Sequence, residues 1–190
     1  MELFNYDGCI NTYSGLKFSF SEPKVEQINI FDISKGLAYR GHFGGQSEQF
    51  FSIAQHTLLV IDLMPPRFRN KAELGLAALL HDASEAYTGD VVKPLKLMLP
   101  DFKVIEDRIT EVIFEKFGIS TKLLSTVKPY DKEAQQIEYE TFFKKTNKLN
   151  YLHPEEAQTA FMQRYWHYLN LMEEKNNCGK VAESSIEEPM

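Results

Sequence analysis

Two cysteines in 190 residues, Cys9 and Cys178, lie near opposite ends with no CxxC pairing. That excludes a zinc ribbon and a disulfide framework, and both side chains are expected to be reduced thiols. Positive charge is also scarce: 21 Lys and Arg face 27 Asp and Glu, a formal net charge of −6. Such a chain exerts no long-range attraction on a nucleic acid or an anionic membrane, so neither is expected as a partner. A phosphate-bearing small molecule would have to be met by a locally held cation. Long apolar runs are missing too, none approaching the ~18 residues of a membrane span. The segment Met1–Cys9 carries Glu2 and Asp7 and lacks the basic and apolar stretches of a signal peptide. A cytoplasmic protein is the expectation.

Hydrophobic residues make up 43% and charged residues 25% of the chain, near globular averages. The length suits one domain with a single core. Residues 1–30 read as an N-terminal arm, 31–173 as a helical domain and 174–190 as a polar, acidic tail expected to be disordered. Within the arm, residues 10–24 alternate aromatic and polar side chains around Gly15 and Pro23, which fits a short hairpin. Asp32 reads as the cap of a helix carrying Ile33 and Leu37, which Gly41, Gly44 and Gly45 bring to an end.

Four longer helices come next in the pattern, and a fifth near the C-terminus. One runs from Phe51 to Met64 and stops at Pro65–Pro66. The next, Lys71–Ala83, is apolar around most of its circumference, as a central bundle helix would be. An amphipathic helix runs from Asp101 to Gly118, and another starts near Pro129 with Asp131 in its first turn. A last helix spans Pro154 to Met172. The whole reads as an all-α compact bundle of about six helices with no internal repeat.

His56, then His81 with Asp82, then Asp131 offer two imidazoles and two carboxylates from three of these helices. That nitrogen and oxygen donor set suits one divalent ion, Mn, Co, Fe, Ni or Zn, with Mg a further choice. A helical histidine is more often a satisfied core or surface residue than a ligand. Placement argues otherwise: His81 and Asp82 end an almost wholly apolar helix, where unpartnered they would cost several kcal/mol. A metal would satisfy both.

The runs Ser52-Ile53-Ala54-Gln55-His56 and Leu79-Leu80-His81-Asp82-Ala83-Ser84-Glu85-Ala86-Tyr87-Thr88-Gly89-Asp90, together with Asp131, resemble the HD-domain metal-dependent phosphohydrolases. The likeness is greatest to the branch of bacterial 5′-deoxynucleotidases and phage deoxynucleotide phosphohydrolases, and extends over Asn11 to Phe143. It implies an HD-type helical bundle holding a divalent metal on His56, His81, Asp82 and Asp131, with metal-activated water attacking phosphorus. By the same resemblance Glu85 orients water or substrate, and Asp90 is the general acid, against a simpler reading of Asp90 as a turn residue. It also points to a homodimer or higher homo-oligomer.

One position departs from that pattern. Related sequences commonly carry an arginine immediately before Phe-Gly-Gly, where it contacts phosphate; here the residue is His42, and the nearest arginine is Arg40. Either could serve, although an imidazole lacks arginine's bidentate fork. Lys96 and Lys93 are further phosphate candidates, and Phe43, Tyr87 or Tyr130 could stack on a base.

The expected activity is therefore phosphate removal from deoxynucleotides. A 5′-monophosphate is the first substrate class and a triphosphate of the dATP type the alternative. A non-catalytic nucleotide or metal sensor is the reading from another class; intact His81, Asp82 and Glu85 argue against it.

Overall fold

The structure, a computed structural model, describes residues 8–145 and 149–184, with side chains as far as residue 175. It is mostly helical, as expected. Two strands, β1 (Cys9–Asn11) and β2 (Lys17–Ser19), pair antiparallel and form the predicted hairpin. Nine α-helices lie among the described residues, against about six expected. Three of them, α3 (Pro66–Arg69), α5 (Glu85–Thr88) and α6 (Lys93–Lys96), are single turns in stretches too short for periodicity to register.

The longer helices are α1 (Ile30–Ala38), α2 (Ile53–Leu63), α4 (Ala72–Leu79), α7 (Pro100–Lys116), α8 (Leu124–Lys144) and α9 (Pro154–Ser184). Helix α4 is the hub: it packs against α2, α8 and α9, and Leu74 through Leu79 are all buried. At Gly75 the packing is so close that a Cβ would lie 2.2 Å from the Tyr168 ring on α9. Only glycine lets the Tyr168 ring approach the α4 backbone this far.

Three boundaries differ from the sequence reading. Asn29, not Asp32, caps α1, its side chain accepting from the Phe31 amide at 2.9 Å. The Asp32 carboxylate instead accepts from the Ser14 amide at 2.6 Å and the Ser14 hydroxyl at 2.7 Å, fastening the hairpin to α1. Helix α8 starts at Leu124 and carries Pro129 inside it, so Asp131 sits about two turns in rather than in the first turn. Proline there forfeits one backbone hydrogen bond, and burial of Val127 upstream offsets that loss.

The expected disordered tail is helical to Ser184, and residues 185–190 lie outside the described residues. Extending a formed helix adds a hydrogen bond per residue fixed, so α9 outruns its apolar periodicity. A pair between Lys175 and Glu73, 3.0 Å apart, ties its later turns to α4. No described helix is long and apolar enough to cross a membrane.

Candidate metal centre and cleft

Ser52 caps α2, its hydroxyl accepting from the Gln55 amide at 3.1 Å, and this sets His56 one turn into the helix. The imidazole is wholly buried. Helix α4 ends at Leu79, and the chain turns tightly through His81 and Asp82 into α5. The His81 Nδ1 lies 2.8 Å from the Ala78 carbonyl. A carbonyl can only accept, so Nδ1 carries the proton and the Nε2 lone pair points onward.

His56, His81 and Asp82 form a cluster that could hold a metal ion, and Asp131, the fourth expected ligand, lies beside both imidazoles. His56 Nε2 lies 3.5 Å from Asp82 Oδ2 and 3.3 Å from Asp131 Oδ1; His81 Nε2 lies 3.1 Å and 3.9 Å from the same two oxygens. Both Nε2 atoms are buried without a hydrogen-bond partner. A bare imidazole lone pair facing a carboxylate oxygen is repulsive unless a proton or a metal cation sits between them. Donor atoms ~3.0–3.4 Å apart are what an ion with ~2.1 Å bonds requires in octahedral or tetrahedral array. The donor set therefore fits a divalent metal. Asp82 and Asp131 keep 25% and 22% of their side-chain exposure, so the cluster is reached through its carboxylates.

Electrostatics reflect this crowding. Burial would lower the His56 pKa, but Glu138, Asp131 and Asp82 outweigh it and raise it well above 6.5. His81 is raised in the same way, burial being overcome chiefly by Asp82. Asp82 is held well below the usual carboxylate range: burial opposes ionisation, and His81 and His56 overcome it.

A cleft of about 380 Å³ opens above the carboxylates, lined by His42, Phe43, Glu85, Asp90, Lys93 and Lys96 among others. Glu85 is nearly buried; one oxygen is 3.0 Å from Lys96 Nζ and the other has no partner. Burial first, then the Asp82 charge, push its pKa up to about 9 against the pull of Lys96. Lys96 is shared with Glu106 at 2.8 Å. Asp90 Oδ2 accepts from the Gly44 amide at 2.9 Å and so pins the Phe43–Gly45 turn, in which Phe43 itself adopts φ 56° and Gly44 φ 61°. A non-glycine residue at positive φ beside a cleft is strain held in place by its surroundings.

His42 and Arg40 separate here. His42 lines the cleft, its position set by a bridge in which its amide donates to the Phe51 carbonyl at 2.8 Å. Arg40 donates to the Glu85 carbonyl and lines a different, smaller cavity beside the hairpin. Tyr87 is stacked on Phe18 at 4.0 Å inside the core, and Tyr130 packs near Phe68; neither lines the cleft. Of these three aromatics, Phe43 alone does.

Sequence reasoning missed Lys128 and Lys132, which flank Asp131 on α8 and also line the cleft. It also missed Glu138, fully buried, with Oε1 2.7 Å from His56 Nδ1 and Oε2 2.9 Å from His42 Nδ1, the second contact lying off hydrogen-bond alignment. The available signal was a charged residue seven positions after Asp131, on the helix face otherwise buried through Ala134 and Phe142.

No family model matches the chain. It is 38% identical over 122 residues to "Uncharacterized protein YfdR" of Escherichia coli (strain K12), a match covering 64% of this chain and 65% of that protein. It is 33% identical over 131 residues to "Uncharacterized protein RCAP_rcc00048" of Rhodobacter capsulatus, covering 65% of each. The match thus spans just under two thirds of either relative, and neither name carries an activity. These similarities establish relatives of this chain in two bacteria and leave its chemistry to the site itself.

Proposed function

We propose that the protein is a divalent-metal-dependent phosphohydrolase of the HD type that removes phosphate from deoxynucleotides, with 5′-monophosphates as the first substrate class. The observation carrying this reading is the meeting of His56, His81, Asp82 and Asp131, from three separate stretches of chain, around two buried and unpartnered Nε2 atoms. A divalent ion held there would polarise a phosphoryl oxygen and acidify a water.

The chain's own groups supply the rest. His42 and the cleft lysines face the phosphate, and Phe43 offers a ring edge or face to the nucleoside. Glu85, its pKa pushed up to about 9 in the metal-free protein by burial and by Asp82, can exchange a proton with water in the cleft. Asp90, on the cleft wall, is the group assigned to protonate the leaving oxygen. Water exclusion is partial, since the cleft remains open above the carboxylates.

A second reading, a triphosphohydrolase, draws on one observation: Lys93, Lys96, Lys128 and Lys132 all line the cleft, more cationic groups than a single phosphate requires. The test is to strip the protein of metal, re-supply Mn, Co, Mg or Zn, and offer deoxynucleoside mono- and triphosphates alongside Asp82→Ala. Metal-dependent nucleoside release, lost in Asp82→Ala, is the expected result; release of triphosphate selects the second reading. Folded protein that turns over no substrate with any metal overturns both in favour of a nucleotide-binding sensor.

A further inference from the structure

We infer that Glu138 is a positioning residue that orients two imidazoles at once, turning His56 toward the proposed ion and His42 toward the cleft. This rests on the metal-site reading above. Its own footing is geometric: a fully buried carboxylate on α8 places one oxygen 2.7 Å from His56 Nδ1 and the other 2.9 Å from His42 Nδ1. The two rings lie side by side, their centroids 4.3 Å apart.

A carboxylate has no proton to give, so the His56 nitrogen bonded to it must carry one, while the His42 nitrogen lies against the second oxygen off hydrogen-bond alignment. For His56 this places the proton on Nδ1 and leaves the Nε2 lone pair facing Asp82 and Asp131, which is the form a metal ligand needs. For His42 it anchors the inner edge of the ring and leaves the outer edge to the cleft. The arrangement supplies a reason for histidine at position 42: its Nδ1 reaches back to the same carboxylate that sets the ligand.

Glutamine is the discriminating substitution. It matches glutamate in shape but has one acceptor oxygen and one NH2, so it cannot present an oxygen to both rings. In Glu138→Gln, divalent-metal affinity, read by chelator competition, is expected to fall about 10–100-fold. Removing the competing ring in Glu138→Gln/His42→Ala frees the amide oxygen for His56, and the loss measured against His42→Ala should shrink to about threefold or less. A purely structural role predicts the same loss in both backgrounds. That result, or wild-type affinity in Glu138→Gln, overturns the inference.

A second measurement needs no metal. In protein with 15N-labelled histidine at alkaline pH, where the imidazoles are neutral, His56 should be the Nδ1–H tautomer in the wild type and lose that preference in Glu138→Gln. An Nε2–H tautomer in the wild type overturns the inference. Failure of the wild type to bind any divalent ion would instead overturn the metal-site reading, with the tautomer still deciding the role of Glu138.

Discussion

Lys96 Nζ lies 3.0 Å from Glu85 Oε1, yet Glu85 is still driven up to about 9 from its ordinary 4.5, because burial and Asp82 outweigh the lysine. A carboxyl raised in the folded state costs stability once the pH exceeds its unfolded pKa, and the cost grows until the folded pKa is reached. In metal-free protein, Glu85→Gln should therefore stabilise by about 1–3 kcal/mol near pH 8 and by almost nothing below about pH 4.5. Urea melts at the two pH values check this; equal stability at pH 8 would remove the claim that Glu85 is strained.

The His56 and His81 imidazoles have the opposite sign. Their folded pKa values lie above 6.5, so their contribution is fully present below that value and drains away as pH rises through the raised folded pKa. Metal binding must expel those protons, so its benefit runs the other way. The gain in Tm on adding divalent metal should be larger at pH 8.5 than at pH 6.

At about 100 times Kd, an ion that binds only folded protein adds about 2.7 kcal/mol. For a chain of this size that corresponds to a rise in Tm of roughly 5–10 °C. Asp131→Asn should abolish the rise while leaving the metal-free protein folded, as judged by circular dichroism. An undiminished rise in the variant would take Asp131 out of the ligand set.

Asp90 anchors the Gly44 amide, and the acid role proposed for it can be separated from that contact. Asp90→Asn keeps an acceptor for the Gly44 amide but cannot deliver a proton, so if Asp90 is the acid, kcat falls ~10²–10⁴-fold with KM little changed. Asp90→Ala also frees the strained Phe43–Gly45 turn and should raise KM. Asparagine with full kcat would leave Asp90 as a loop anchor alone.

Gly75→Ala would drive a methyl into the Tyr168 ring and is expected to cost about 1–3 kcal/mol. Combining it with Tyr168→Leu should recover part of that loss, and denaturant melts of the four proteins close the cycle.

The grouping of His56, His81, Asp82 and Asp131 was legible in sequence because His81-Asp82 ends an apolar helix where an unpartnered polar pair is costly. Glu138 was not, since a glutamate on a helix with many exposed charges reads as solvated; only the arrival of α2 against α8 shows that it faces inward. Lys128 and Lys132 were missed for the same reason. Asp32 shows the reverse error: local pattern suggested a cap, while Ser14, from the hairpin, claims the carboxylate. Single-turn helices such as α5 owe their shape to what they pack against, and α1 on α5 is a tertiary fact.

The chain separation between His56 and its buried carboxylate, 82 residues, has a bearing on synthesis. At ~5–20 residues per second, a ribosome takes about 4–16 s to supply Glu138 after His56 has emerged. Between the synthesis of Asp82 and that of Asp131 the growing polypeptide holds His42, His56, His81 and Asp82 but neither Asp131 nor Glu138. The imidazoles then have no acidic neighbours from α8 to orient them, and the cluster is assembled only when α8 docks. A metal bound at the proposed site would thus find its full donor set only after α8 has been made.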